Sequence, residues 1–444
     1  MRSLGDHRLA RFGTVGRAAM PKTPSGPGAE APGDVPEELL QRVRTVILDR
    51  HGELLEASQD GQRRRDQLRT LVSQIMVADG FGVHRLDREG LADRMVDHLV
   101  GYGPLEPLLN DPEVDEIMVN GPAQVYVERR GRIEPTTASF RSEEHLEDVI
   151  ARIVAPLGRR VDYSLPFVDA RLPDGSRVHA IIRPVAVRGP SLTIRKFSRR
   201  ALTMDDLIEN GTLSREMADL LALAVRGRLN ILIAGGAGSG KTTTLNALSS
   251  FIPDGAERIV TIEDAAELQL NQRHVVGLES RPPNLEGKGE VTVRTLLRNA
   301  LRMRPDRIVI GECRGGEAFD FLQAMNTGHD GCLSTIHANS CADALVRLEN
   351  MVLMAGENLP HAAICEQVRS GLDMVIHQAR IADGTRRICE INLARTQSTA
   401  FTWEPETGFA RHPVAPPAHL IAKLRRAGLQ VEAWAYAVGG KGAS

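Results

Sequence analysis

The sequence predicts an α/β chain. Residues 215–395 read as a parallel sheet wrapped by helices, preceded by a mixed α+β domain over 101–197 and a helical module over 36–100. Three observations carry this. From Asn230 onward, short apolar runs alternate with segments of helical period, the pattern of a parallel sheet with crossover helices. A glycine-rich turn ending in Lys241-Thr242 joins the first such run to the first such helix. The length of 444 residues and 42% hydrophobic content suit two to four domains with buried cores.

Residues 1–35 are rich in Gly and Pro and carry Arg2, Arg8, Arg11 and Arg17 without an apolar core. They read as a disordered basic tail rather than a secretory signal, and either Met1 or Met20 serves as the start. In the helical module, Leu39, Leu40, Val43, Val46 and Ile47 recur at threes and fours, as do Leu68, Leu71, Val72, Ile75 and Met76. A third helix is expected over 89–100. The Arg63–Arg65 run between helices reads as a solvated face or a partner contact. Over 101–197 a hairpin is expected at 125–134, a helix at 142–157, and strands at 167–170, 176–184 and 191–196. Residues 198–214 read as a polar linker with a short helix. Beyond it, strands are expected at 231–234, 258–263, 307–310 and 332–336. The helices between them fall at 242–250, 293–303, 318–326 and 342–354. A helix at 360–371 and strands at 374–377 and 387–393 follow. The segment 396–444, with Trp403 and Trp434, shows too little pattern to assign.

Bulk composition removes several classes. A net charge of −2 with 4% aromatics gives no case for a nucleic-acid-binding surface or a base-stacking platform. Five cysteines without a C-x-x-C pair argue against a disulfide framework or a zinc ribbon. No apolar stretch approaches the roughly 20 residues that span a bilayer, so any membrane association is peripheral.

Four clusters carry chemistry. Gly235-Gly236-Ala237-Gly238-Ser239-Gly240-Lys241-Thr242, followed by Thr243, has the G-x-x-x-x-G-K-T spacing. Its backbone N–H groups wrap a polyphosphate such as that of ATP, Lys241 reaches the outer phosphates, and the Thr242 hydroxyl can ligate Mg²⁺. The phosphates then lie at the positive end of the following helix. The run Arg307-Ile-Val-Ile-Gly311-Glu312 puts an acid at the C-terminal edge of a buried strand, the edge that holds the glycine loop. Glu312 is there the base or positioner for an attacking water. The place usually taken by a metal-linked Asp is Gly311, so another carboxylate must serve. Glu263 and Asp264 end a strand of their own and supply it, holding Mg²⁺ through water; such acids also act as helix caps. His337 follows the apolar strand 332–336 at the same edge, where an imidazole can sense a γ-phosphate; His329 has a weaker claim.

These clusters, in this order, resemble the hexameric ATPases of the type II/type IV secretion superfamily, and in particular the CpaF/TadA type of Tad (Flp) pilus assembly. The resemblance runs from about Pro36 to Arg395. It includes the Walker A loop, an aspartate box at 261–268, a Walker B strand at 308–312 and a histidine box at 327–339. Tyr163, His179, Arg183 and Cys313 depart from the family's usual residues. The resemblance implies a RecA-like P-loop core, a preceding α+β domain, and a ring of six copies with nucleotide between the two domains. Arg171, Arg177 and Arg195 are then the arginines expected to reach the phosphates. It further implies ATP and Mg²⁺ as cofactors and a cytoplasmic motor at the inner face of the membrane. The partner is an inner-membrane platform protein, with no direct nucleic-acid contact; a RecA-like nucleic-acid motor or conjugation ATPase is the alternative. Arg294, Arg298 and Arg302 share one helical face, which is either a solvated stripe or a subunit contact.

Overall fold

The structure is a computed structural model that describes residues 37–51, 54, 61–78, 85–129, 131–197, 201–283, 287–356 and 359–439. The expected tail at 1–35 and both candidate start residues lie outside the described residues. The chain divides into two compact units, Met1–Gly103 and Pro104–Ser444.

The described residues of the first unit form α1 (Glu37–His51), α2 (Gly61–Ala78) and α3 (Arg85–Val100). The apolar residues spaced at three and four meet in one core: Leu39, Val43 and Ile47 with Leu68, Val72 and Met76, closed by Ala92 and Met95. The arginine run at 63–65 lies within α2 rather than between helices, and two of its members are used within the unit. Arg65 pairs with Asp97 of α3, and Arg64 Nε donates to Leu54 O at 2.7 Å.

The second unit holds two sheets. The smaller is antiparallel and comprises β1 (Val114–Asn120), β2 (Val125–Arg129), β3 (Arg132–Pro135), β4 (Phe167–Arg171), β5 (Arg177–Ile181) and β6 (Ser191–Arg195). Their order is β3-β2-β1-β6-β5-β4. The short α4 (Glu106–Asn110) precedes β1, and α5 (Glu143–Val154) follows β3. The Ser142 hydroxyl caps α5 by accepting the His145 N–H at 3.2 Å, and the helix buries Leu146, Val149, Ile150 and Ile153. The strand register sets charged residues side by side: Arg177 stands opposite Arg195, and Arg195 stands opposite Glu116.

The larger sheet comprises β7 (Ile231–Gly235), β8 (Ile259–Glu263), β9 (Val275–Glu279), β10 (Arg307–Cys313), β11 (Leu333–Ile336), β12 (Met374–Arg380), β13 (Arg386–Leu393), β14 (Ser398–Glu404) and β15 (Gly408–Arg411). Its order is β15-β14-β13-β12-β7-β11-β10-β8-β9. The strands from β12 to β9 are parallel, and β13 to β15 extend the sheet antiparallel. Every residue of β7, β8 and β11 is buried, as strands covered on both faces require. The covering helices are α6 (Met204–Glu209), α7 (Arg215–Arg226), α8 (Lys241–Ser249), α9 (Val293–Ala300), α10 (Glu317–Asn326), α11 (Cys341–Met354), α12 (His361–Gly371), α13 (Ala418–Arg426) and α14 (Glu432–Gly439).

Several expectations change on contact with this fold. The short helix expected within 198–214 is α6, and it buries Met204 and Leu207 in the core shared with α7 and β7. The unassigned segment after 395 completes the same core, with Phe401, Leu420, Leu424 and Trp434 all inside it. Trp434 is fully buried and its Nε1 donates to Val414 O at 3.0 Å. Lys423 of α13 donates to the buried Asp373 carboxylate at 2.6 Å, which fastens this segment to the base of the sheet. The strand β9 carries no alternation and went unread. The helix α9 ends at Ala300, so Arg302 lies beyond it. Arg294 and Arg298 are tied inward: their Nε atoms donate at 2.6 and 2.8 Å to the two oxygens of Asp320, which is 8% exposed on α10, while Arg298 stays half open to solvent.

Candidate nucleotide site

The glycine loop leaves the C-terminal end of β7, a central strand, and returns as α8. Packing and backbone conformation dictate three of its glycines, Gly235, Gly238 and Gly240. A Cβ on Gly235 would stand 2.3 Å from Gln378 O and 2.5 Å from Ser239 Oγ. Gly238 and Gly240 hold φ of 66° and 94°, a region that only glycine enters without strain. The loop is locked from β12, where Gln378 Oε1 accepts the Thr244 hydroxyl at 2.6 Å.

Lys241 folds back over the loop, and its Nζ donates to Gly236 O at 2.8 Å. Burial lowers its pKa, and the nearby Glu312 carboxylate opposes that shift. Across the cleft stands Glu312. Its Oε2 accepts from Arg314 Nε at 2.9 Å and Nη2 at 2.7 Å. Its Oε1 lies 2.8 Å from His337 Nε2, out of good hydrogen-bond alignment. Burial, and then the Lys241 charge, hold His337 below the ordinary histidine range. The carboxylate, the imidazole and the lysine thus form one electrostatic group.

Glu263 reaches the same cleft from β8 but is 5% exposed. Its Oε1 accepts the N–H groups of Glu267 and Leu268 at 2.9 and 3.0 Å. Burial still dominates and pushes its pKa up to about 7. Asp264 is more open, with Oδ2 3.3 Å from Arg314 Nη1 and Oδ1 3.3 Å from Ser280 Oγ. Among the described residues, the cleft's carboxylates and His337 do not converge as a three-donor metal cluster. That donor set suits Mg²⁺, which keeps several waters and takes one or two protein oxygens beside substrate phosphates. Thr242 lines the cleft with Glu263, Asp264 and Glu312, so residues bearing hard oxygen donors are gathered there.

The small sheet roofs the loop. Arg177 and Arg195, cross-strand neighbours, both line the cleft above Gly240, Thr242 and Thr243. Arg177 Nη2 lies 3.0 Å from Glu267 Oε1, while its Nε is buried without a partner. Two directly opposed arginines repel, and an anion between them and the loop relieves that cost. The enclosed space is a main cavity of about 510 Å³ joined to a smaller one of about 160 Å³ against Glu312 and His337.

Most of the residues read from the sequence meet here: Ala237, Gly238, Gly240, Lys241, Thr242, Thr243, Glu263, Asp264, Glu312, His337, Arg177 and Arg195 all line this space. Gly235 and Gly236 open instead onto an adjoining cavity of about 540 Å³ beside His337 and Arg314. Ser239 is buried with its hydroxyl unpartnered. Arg171 does not line the cleft. Its Nη1 donates to Glu279 at 2.6 Å and its Nη2 to Ala266 O at 2.6 Å, so it ties β4 to β9. His329 precedes β11 whereas His337 follows it, so the two histidines occupy opposite edges of the sheet. Of the departures, Tyr163 is exposed, His179 pairs with Asp169, and Arg183 forms a two-pronged bond to Glu143 at 3.0 and 3.1 Å. None of these touches the cleft.

Sequence reasoning missed five contributors. Arg314 lies two residues past Glu312 on an extended segment, so the period of two could have flagged it. Gln378, Arg380, Arg386 and Glu128 carry no local signal, because they arrive from far along the chain. Arg386 Nε donates to Gly238 O at 3.0 Å, and Glu128 Oε1 lies 3.6 Å from Arg380 Nη1.

A glycine loop between a buried parallel strand and a helix, faced by an acid-ended neighbouring strand, defines a P-loop ATPase with a RecA-like core. Similarity to known proteins narrows this class. Residues 98–415 match the family model described as Type II/IV secretion system protein, and the chain belongs to that family. A putative conjugal transfer protein of Mycobacterium tuberculosis is 40% identical over 318 residues, covering 70% of this chain and 89% of that protein. The type IV secretion system protein PtlH of Bordetella pertussis is 38% identical over 310 residues, covering 64% and 91%. Among solved structures, the VirB11 ATPase of the Brucella suis type IV secretion system, in complex with sulphate, is 33% identical. It covers 66% of this chain and 93% of that one, at a TM-score of 0.36. Among the described residues no helix is long and apolar enough to cross a membrane.

Proposed function

We propose that this chain is a Mg²⁺-dependent ATPase motor of the CpaF/TadA type, working as a homohexamer that drives Tad (Flp) pilus assembly through an inner-membrane platform protein. It acts from the cytoplasmic face of that membrane. The observation that carries the reading is the opposition of Arg177 and Arg195, on the small sheet, to Lys241 and Thr242 at the start of α8, beside the large one. A nucleotide bridging the two sheets stabilises the closed arrangement in proportion to its tighter binding there, and hydrolysis removes that preference.

Each residue then has a role. Lys241 and the loop N–H groups hold the outer phosphates. Thr242 would hold Mg²⁺, with Glu263 and Asp264 as the carboxylates on hand for it, and the ion would supply neutralisation of phosphate charge. Glu312 orients the attacking water and accepts its proton. His337, beside Glu312, reads the γ-phosphate. Arg177 and Arg195 stabilise charge on the transferring group. Arg171 serves the contact between β4 and β9 rather than the nucleotide.

A second reading is a conjugation-associated ATPase, favoured by the names of relatives such as the conjugal transfer protein TrbB of Rhizobium radiobacter, 34% identical over 285 residues. Deletion of the gene, with complementation by wild type or Lys241→Ala, separates the two. Loss of surface pili restored only by wild type supports the pilus motor. Intact pili with lost conjugal DNA transfer supports the rival.

A further inference from the structure

Away from the cleft, three metal-ligating side chains converge where α11 packs on α12. Glu349 stands on α11, and its side chain is 14% exposed. His361 and Cys365 stand four residues apart on α12, hence one above the other on the same face. His361 Nε2 lies 3.5 Å from Cys365 Sγ and 3.6 Å from Glu349 Oε2. All three donors fall within 4.8 Å of one another.

The two separations made by His361 approach the edges of a coordination tetrahedron, and the sulfur–carboxylate separation, within 4.8 Å, closes by side-chain rotation on binding. With Zn–S near 2.3 Å and Zn–N near 2.0 Å, tetrahedral angles set sulfur and nitrogen about 3.5 Å apart and nitrogen and carboxylate oxygen about 3.3 Å apart. The first edge is already met, and the second needs a few tenths of an ångström. His361 is 62% exposed, which leaves an entry path and room for water as a fourth ligand.

We propose that Glu349, His361 and Cys365 form a binding site for a thiophilic transition-metal dication, with zinc as the reference ion, that clamps α12 to α11. A thiolate with an imidazole and a carboxylate selects zinc-like ions over Mg²⁺, so this site is chemically distinct from the cleft. Cys365 binds as the thiolate; its proton passes to solvent, and His361 ligates in its neutral form. The clamp has a structural consequence. Asp343, Val346, Arg347 and Asn350 of α11 line the cavity beside Gly236 and His337, so fixing α11 stiffens the wall next to the histidine.

The test uses the full chain, stripped with a chelator and held in excess Mg²⁺, then titrated with zinc and separately with cobalt(II). The expected result is one zinc per chain, bound at micromolar affinity or tighter, and a thiolate-to-cobalt charge-transfer band. Cys365→Ser should abolish the band, and both it and His361→Ala should weaken zinc at least tenfold. Cys389→Ser should leave both readouts unchanged. Serine nearly matches cysteine in size, and an unchanged melting temperature without metal verifies folding. Absence of the band in the wild type, or its survival in Cys365→Ser, overturns the proposal and leaves His361–Glu349 as a simple ion pair.

Discussion

Gly311 and Glu263 share one space: a Cβ on Gly311 would stand 2.9 Å from Glu263 Cγ. This accounts for the glycine where P-loop enzymes commonly carry a metal-linked Asp. The neighbouring strand delivers a carboxylate to the same place, and a side chain at 311 would force Glu263 to shift. Gly311→Ala should therefore lower stability by roughly 1–3 kcal/mol, the range of core overpacking. Glu263→Ala should relieve that cost in a double-mutant cycle measured by denaturant unfolding. Strictly additive effects would mean that the two residues do not compete.

Glu263 also predicts a pH dependence. Burial raises its folded pKa from the ordinary 4.5 to about 7. An acid with a raised folded pKa contributes stability that is full below the unfolded value and is lost as pH climbs through the folded one. The wild type should thus lose stability relative to Glu263→Gln between about pH 4.5 and 7. The loss is at most about 3.5 kcal/mol, at roughly 1.4 kcal/mol per pKa unit. Gln keeps an oxygen for the Glu267 and Leu268 N–H groups, so the comparison isolates the charge. A pH-independent difference between the two proteins would contradict the assigned burial effect.

Much of this arrangement was legible in the sequence, and the reason is local. A buried parallel strand must be a short apolar run, so β7, β8, β10 and β11 announced themselves, each ending near the residue that matters. The glycine loop declared its own geometry by spacing. What failed was long-range. Trp434 gave no period to read, yet it fills the core, because α14 is held there by tertiary packing rather than by an amphipathic repeat. Arg171 looked like its neighbours Arg177 and Arg195. Only the pairing of β4 at the sheet edge turns it toward Glu279, while β5 and β6 aim the other two at the loop. Gln378 and Arg386 reach the loop from a distant hairpin, with Gln378 134 positions beyond Thr244, and nothing local predicts that.

The segment after 395 is a structural part of the ATPase core. Trp434→Ala should cost about 3–5 kcal/mol, as for other fully buried aromatics. Thermal or urea unfolding checks it. A change below about 1 kcal/mol, the scale of an ordinary surface substitution, would return α14 to the status of an appendage.

The small sheet should be required for turnover. Arg177→Gln or Arg195→Gln should leave nucleotide binding within a few-fold and reduce hydrolysis by up to roughly 10³–10⁵-fold, the range for an arginine finger. A fragment beginning at Ala201 should bind ATP and hydrolyse it poorly. Full turnover by that fragment would remove both arginines from the mechanism.

The most direct measurement is phosphate release by the purified protein and its Glu312→Gln variant, with ATP binding followed in parallel. Glu312 meets Arg314 at 2.7 Å and His337 at 2.8 Å, so the amide retains shape while losing charge and basicity. The wild type should show Mg²⁺-dependent turnover. The variant should bind ATP almost as well and lose turnover on the order of a hundredfold or more, as removal of a general base gives. Turnover of the variant within a few-fold of wild type, with binding intact, would contradict the role assigned to Glu312.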